Sequence, residues 1–323
     1  MKKITGYRLP ITGYGRIGVL LGGPSSEREV SLRSGNAAYE ALKAAGHDVV
    51  AIDAVGDIEE KIKDSRICVA FIALHGRFGE DGGIQTILEN MGIPYTGSGP
   101  QASARAIDKE ISRRIFKENG ILVPNSRTLF RNYSLEKFIA ENTLKFPLVI
   151  KPACEGSSIG LSIIENKETL QEAVDKAFHY DEKIIVEEFI QGKEVTVGIL
   201  EDKPLPVVQI VPKNRFYDYH AKYTKGMTEY IVPAKITKTE YKAAQKAGVK
   251  AHTALGCKGF SRVDIIIDKN KKPVVLEVNT IPGFTQTSLL PKAAAAEGIN
   301  FTKLCEKLVE LAYEKDKVME EKA

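Results

Sequence analysis

From residue 17 onward, short runs of β-branched and aliphatic residues alternate with stretches whose apolar positions recur every three or four residues. Residues 17–21, 48–53 and 67–74 read as strands, and 29–45 as a helix between the first two. This order makes a βαβ series and therefore predicts a parallel sheet. A loop HGRFGEDG and a helix near 84–90 follow, and the turn-rich GIPYTGSG sets a boundary near residue 98. The middle of the chain opens with a charged helix over 104–118, which Asn119-Gly120 stops. Strands at 148–151, 160–165 and 183–189, with a helix over 167–178, make a smaller α+β unit. Two strands (194–200, 206–211), a polar aromatic loop, a helix over 239–255, two more strands (264–267, 274–278) and amphipathic helices complete the pattern. The predicted division is an extension over 1–16, an α/β unit over 17–98, a central unit over 99–188 and a last unit over 189–323.

Composition acts mainly by exclusion. The 323 residues are 43% hydrophobic and 27% charged, a composition that fills large cores and does not favour a disordered chain. Lys and Arg number 46 against 42 Asp and Glu, a net charge of +4. That excess is too small and too dispersed for a nucleic-acid binder. The four cysteines (Cys68, Cys154, Cys257, Cys305) lack CxxC spacing, which argues against a disulfide framework or a thiolate zinc site and suits a reducing cytosol. Pro10, Gly13, Gly15 and Arg16 interrupt the basic start before a signal-length apolar run can form. No apolar segment reaches the ~20 residues a membrane helix requires, so a cytoplasmic protein without membrane or nucleic-acid partners is expected.

Three constellations carry candidate chemistry. Gly22-Gly23-Pro24-Ser25-Ser26-Glu27-Arg28-Glu29 lies between a strand and a helix, and Ser26 with Glu29 has capping-box spacing. The segment reads either as a plain helix cap or as a place where a small ligand meets free N–H groups. Glu27 would repel phosphate there, so an ammonium is the better guest. Lys151 ends an apolar strand and opens the small-residue loop Pro152-Ala153-Cys154-Glu155-Gly156-Ser157-Ser158, which reads as a triphosphate cradle or as a flexible hairpin loop. Arg262 and Asp264 share one strand face by i, i+2 spacing, as do Glu277 and Asn279 on the next strand. Pairing these strands would gather three oxygen donors and a guanidinium, a set suited to magnesium on nucleotide phosphates; the alternative is a salt-bridged solvated face. The Gly283 N–H in the turn that follows can reach an oxyanion. Phe216 to Tyr223 reads as a lid carrying Lys222 or as a surface loop packing its own tyrosines, and His75 as a site residue or a structural histidine.

Eight segments, in order, resemble the D-alanine:D-alanine ligases of the ATP-grasp superfamily: VLLGGPSSEREVSLRSG, ALHGRFGEDGGIQTILENMGIPYTGSG, DKEISRRIF, KPACEGSSIGLSII, VEEFIQGKEVTVGIL, FYDYHAKY, GFSRVDIIID and LEVNTIPGFTQTSLLP. The resemblance implies a three-domain α/β ATP-grasp architecture with a parallel-sheet N-terminal domain and nucleotide bound between the central and C-terminal domains. It implies ATP-dependent joining of two D-alanines through an acyl phosphate, for peptidoglycan precursors, by a homodimer that uses ATP and two Mg2+ ions, with Mn2+ as a substitute. Lys109, Lys151 and Lys222 would hold phosphates, Glu187 and Glu194 would lie around adenine and ribose, and Asp264, Glu277 and Asn279 match the magnesium ligands. Glu27 would take the first D-alanine's ammonium with His75 beside it. Ser157 and Tyr223 would lock the lid onto Glu27, Arg262 and the Gly283 N–H would stabilise developing charge, and Ser288 and Leu289 would receive the second D-alanine's carboxylate. Ile281 and Phe284 depart from the family's small residue and methionine, which bears on pocket shape, and residues 112–114 lack its usual lysine. The alternatives are a ligase forming a D-lactate ester, against which Tyr223 argues, and a non-catalytic nucleotide-binding regulator on the same scaffold, against which Lys151, Arg262, Asp264, Glu277 and Asn279 argue together.

Overall fold

A computed structural model describes residues 13–141, 143–213 and 227–320. The chain divides into two compact units, one formed by Met1–Pro100 with Ile281–Ala323 and the other by Gln101–Thr280. The segment expected to end one continuous C-terminal unit, 189–323, is thus shared between them from residue 281 on.

The first stretch runs β1 (Ile17–Leu21), α1 (Arg28–Ala44), β2 (Val49–Asp53), α2 (Ile58–Ser65), β3 (Val69–Ile72) and α3 (Gly83–Met91). Its three strands form the expected parallel sheet in the order β2-β1-β3. All residues of β1 and β3 are buried, as strands covered on both faces require. The second unit begins with α4 (Pro100–Ile107) and α5 (Lys109–Glu118), then β4 (Ser126–Phe130), α6 (Leu135–Glu141), β5 (Leu148–Pro152), β6 (Ser162–Ile164), α7 (Leu170–Phe178) and β7 (Lys183–Glu188). It continues with β8 (Gly192–Leu200), β9 (Lys203–Pro204), β10 (Val208–Pro212), β11 (Thr228–Ile231), α8 (Lys238–Leu255), β12 (Phe260–Asp268) and β13 (Pro273–Asn279). The chain then returns to the first unit as α9 (Leu289–Ala296) and α10 (Phe301–Glu320).

The single helix expected over 104–118 is two. Asp108 leaves the helical region (φ −80°, ψ 104°) and its carboxylate accepts the N–H groups of Glu110 and Ile111, so it caps a new helix whose first residue is Lys109. In the second unit β4-β7-β5-β6 form an antiparallel sheet over a core that includes Leu148, Ile150, Val174 and Ile184. A second sheet runs β11-β10-β8-β12-β13, with β9 beside β8. The helix α8 packs on β8, β12 and β13, closed by a Thr237–Glu240 capping box at one end and by Gly256 in the left-handed conformation (φ +79°) at the other. Among the described residues no helix is long and apolar enough to cross a membrane.

Candidate active site

In the first unit the turn after β1 sets the position of Glu27. Gly22 and Gly23 take positive φ (+71° and +79°), and the Arg28 guanidinium grips Asp53 through two bonds of 2.8 and 2.6 Å. The hydrogen bonds from Arg28 hold the Asp53 carboxyl below the usual carboxylate range. The expected Ser26–Glu29 capping box is not formed. Glu27 itself is the N-cap of α1, and its N–H is taken by the Ser25 hydroxyl at 3.2 Å, so the helix starts one residue later than that box needs. The Glu27 side chain caps nothing and lies beside Gly76, where a Cβ would stand 3.0 Å from its Oε2. Gly76 also has φ +70°, a conformation that favours glycine.

His75 follows β3 and is 5% exposed. The Ser25 hydroxyl donates to its carbonyl at 2.6 Å, its Nε2 lies 3.0 Å from Ser34 Oγ, and its Nδ1 lies 3.6 Å from Glu80 Oε1. The structure therefore brings Glu27 and His75 to the same turn. The Gly283 turn opens the returning stretch of this unit. Ser288 is the N-cap of α9, but its hydroxyl turns back to accept the Thr285 N–H at 3.0 Å instead of capping the helix. Leu289 begins α9 with its side chain buried. Ile281 joins the apolar core around β1 and β3, and the Phe284 ring packs against Phe71 and Phe301 at 5.4 and 5.2 Å. Both departures from the family pattern are therefore core residues.

In the second unit the β12–β13 hairpin pairs Arg262 with Asn279 and Asp264 with Glu277, so the four side chains share one sheet face as their spacing predicts. Arg262 grips Asp264 through Nε at 2.9 Å and Nη2 at 2.7 Å; the Thr196 hydroxyl (2.7 Å) and Asn279 Nδ2 (3.1 Å) donate to the same carboxylate. Those four donors occupy the four lone-pair sites of the carboxylate. Asp264, Glu277 and the Asn279 amide oxygen are hard oxygen ligands and fit magnesium, and a cation on Asp264 takes the place of a present donor. With only two carboxylates, this set is not a cluster of three or more acidic, His or Cys ligands, and none occurs among the described residues.

Lys109, at the start of α5, donates from Nζ to the Glu155 carbonyl at 2.7 Å and lies 3.8 Å from Glu277 Oε2. It thereby ties the 153–158 loop to the metal-ligand candidates. In that loop Ser157 and Ser158 both take positive φ (+51° and +61°), a conformation costing non-glycine residues of order 1 kcal/mol each. Lys151 and Glu187 are diagonal neighbours on β5 and β7 and pair at 2.9 Å, while Arg113 of α5 reaches the other carboxylate oxygen. Burial pushes the Lys151 ammonium below its ordinary value. Burial alone would raise the Glu187 carboxyl, but Arg113 and Lys151 overcome it and hold the group below the usual range. Arg113 and Ser34 are side chains at the candidate site that sequence reading misses. The only signal for Arg113 was its place where the family's lysine is absent. Glu194 lies on β8 opposite Ile266 and is half-buried. Lys222, Tyr223 and the rest of the expected lid lie outside the described residues.

Residues 115–310 match the model of the D-ala D-ala ligase C-terminus and residues 53–98 that of the D-ala D-ala ligase N-terminus. The chain belongs to the D-Ala-D-Ala ligase family. It is 49% identical to a D-alanine--D-alanine ligase of Geotalea uraniireducens over 92% of this chain and 95% of that one, and 49% identical to that of Carboxydothermus hydrogenoformans over 93% and 98%. The solved D-alanine--D-alanine ligase of Bacillus anthracis superposes with a TM-score of 0.85 at 38% identity, covering 94% of this chain and 99% of that one. The same enzyme complexed with ATP gives 0.83. The VanG D-Ala:D-Ser ligase of Enterococcus faecalis gives 0.79 at 32% identity, covering 92% and 99%. The fold of this chain is therefore the α/β fold of that family.

Proposed function

We propose that this protein joins two D-alanine molecules to D-alanyl-D-alanine with ATP, releasing ADP and phosphate, in the cytoplasm and for peptidoglycan precursors. The observation that carries the reading is the register of β12 and β13, which sets Arg262, Asp264, Glu277 and Asn279 on one face in a chain of this family. In this reading the carboxylate of the first D-alanine attacks the ATP γ-phosphate. The amine of the second then attacks the acyl phosphate and expels phosphate.

Lys109 and Lys151 hold ATP phosphates, and Glu187 and Glu194 serve the nucleoside end, Glu187 while also fixing the Lys151 ammonium. Asp264, Glu277 and Asn279 would hold magnesium, whose charge offsets that of the phosphates during transfer. Glu27 takes the ammonium of the first D-alanine by charge-assisted hydrogen bonding. Arg262 and the Gly283 N–H stabilise negative charge developing on the acyl phosphate and the tetrahedral intermediate, where one donor is often worth about 3 kcal/mol. The N–H groups at the start of α9, at Ser288 and Leu289, suit the carboxylate of the second D-alanine. Lys222 and Tyr223, outside the described residues, carry over only as expected groups for the γ-phosphate and, with Ser157, for Glu27. An N-terminal substrate domain with two ATP-grasp subdomains, one for each sheet of the second unit, and a homodimer belong to the same reading.

Incubation with ATP, magnesium and D-alanine tests it. The expected result is one phosphate released per D-alanyl-D-alanine, and predominantly dipeptide when D-alanine and D-lactate compete near neutral pH. Absence of dipeptide would sink the reading.

A further inference from the structure

Ser34 lies in the middle of α1, far in sequence from both groups it touches, and is 1% exposed. Its hydroxyl oxygen accepts the Phe284 N–H at 3.1 Å and lies 3.0 Å from His75 Nε2. The Glu80 carboxylate, 3.6 Å from Nδ1, favours the ring proton on that nitrogen. Nε2 is then the acceptor, and the hydroxyl proton of Ser34 points to it. In that tautomer the groups form one directed chain: Phe284 N–H to Ser34 Oγ, and Ser34 O–H to His75. Both bonds are buried, and a hydroxyl that donates while accepting is polarised so that each bond strengthens the other.

The two ends of this chain matter because of what adjoins them. His75 precedes Gly76, the residue against which the Glu27 carboxylate lies. Phe284 follows Gly283, and its amide nitrogen closes the Gly283 residue. On the other side the turn is held by its own apolar side chains, Ile281 and Phe284, in the core. Ser34 supplies the polar half of that attachment. We propose that Ser34 is a positioning residue for ligation, fixing the Gly283 turn to His75 so that the oxyanion-binding N–H and the pocket for the first amino acid keep one spacing. The inference rests on the functional reading above. Three residues earlier, Ser31 provides the contrast: its hydroxyl donates to the Ala73 carbonyl at 2.8 Å and, among the described residues, bonds neither His75 nor the Gly283 turn. It staples the helix to the end of β3.

The test compares Ser34→Ala, Ser34→Cys and Ser31→Ala in the full chain. Cysteine keeps the volume but accepts weakly, so it separates packing from hydrogen bonding and stands in if the alanine variant fails to fold. For both Ser34 variants the dipeptide kcat should fall roughly ten- to a hundred-fold, the scale of a reacting group misplaced by about 1 Å. The Kd for ATP should stay within about two-fold, and Ser31→Ala should keep kcat within about two-fold whatever it does to Tm. Imidazole 15N spectra give a second readout that needs no turnover. The His75 signal should show the proton on Nδ1 in the unsubstituted protein, and the Nε2 resonance should move in Ser34→Ala.

An unchanged kcat in Ser34→Cys, an equal kcat loss in Ser31→Ala, or an unmoved Nε2 resonance would each overturn the proposal. Failure of the unsubstituted protein to make dipeptide would instead overturn the functional reading. The 15N spectra would then still report whether Ser34 is bonded to His75.

Discussion

At the scale of single residues, the second unit concentrates charge where water is scarce. Glu187, at 3% exposure, is the shared counter-ion of Lys151 and Arg113, themselves 8% and 2% exposed. Removing one partner of a buried ion group leaves the others uncompensated, a cost of about 3–5 kcal/mol. Glu187→Gln should therefore lower Tm markedly as well as weaken ATP binding; a variant with unchanged Tm would show that the cluster is not a stability element. Asp264 gives a different expectation, because four donors already fill it. Magnesium alone should bind weakly, with calorimetry showing appreciable uptake only when ATP is present, and Asp264→Asn or Glu277→Gln should lose nearly all turnover. Near-normal kcat for either variant at low millimolar magnesium would remove the metal assignment. The Arg262–Asp264 and Glu277–Asn279 pairs were legible in the sequence because both lie at i, i+2 on adjacent strands, so local spacing alone put them on one face. The partners of Glu187 and Ser34 were not legible. Arg113 stands on a helix remote from β7, and the Ser34 bond to Phe284 spans 250 positions, so only tertiary folding brings these groups together.

At the scale of elements, ends carry more information than middles. The helix expected over 104–118 has continuous helical character, yet Asp108 divides it by offering its carboxylate to two N–H groups, and this places Lys109 at a helix start with its ammonium over the 153–155 backbone. The short charged helix α2 and the edge strands β4 and β11 were missed. The two strands are only partly buried and so lack an apolar alternation strong enough to mark them, whereas α2 does carry an apolar pair, Ile58 and Ile62 at i, i+4, but only over two turns. The helix α8 is secured twice. Its Thr237–Glu240 capping box should be worth about 1 kcal/mol, measurable as the loss of stability in Thr237→Ala. Toward its other end His252, wholly buried, bonds Ser261 Oγ at 2.7 Å and Asp202 Oδ1 at 3.2 Å, joining the helix to β12 and to the β8–β9 turn. Burial holds this imidazole below its ordinary value. With the folded value below the unfolded one, the unfolded chain binds the proton first. The stability from a neutral His252 is thus complete above the usual histidine value of about 6.5 and is lost as pH falls through the lowered folded value. Thermal unfolding between pH 7.5 and 5 should show a decline in Tm that is shallower in His252→Gln; an identical slope would assign the decline to other groups.

At the scale of the whole molecule, the second unit is continuous in sequence and the first is not. The parallel sheet was readable from residues 17–74, because a strand, a helix and two further strands in that order leave an alternating signal, whereas the order β2-β1-β3 within it was not. The return of 281–323 to the first unit was not, since amphipathic helices at the end of a chain show that they bury a face but not against what. Here α10 packs on α1 and β3, and α9 packs on α10. A chain cut after residue 280 should accordingly leave the first unit without a cooperative transition while the second still melts as a unit, and calorimetry of that fragment checks it. The same arrangement shapes how the protein is made. Residue 281 leaves the ribosome about 180 residues after residue 100, roughly 10 to 35 s at ordinary synthesis rates. Throughout that interval the apolar surfaces of α1 and β3 that α10 will cover stay wet, so a nascent chain passes through an exposed, association-prone stage that a shorter path from β3 to α10 would have avoided. Demand for a chaperone that holds young chains should therefore end when the last helix emerges, and not when the first sheet is complete.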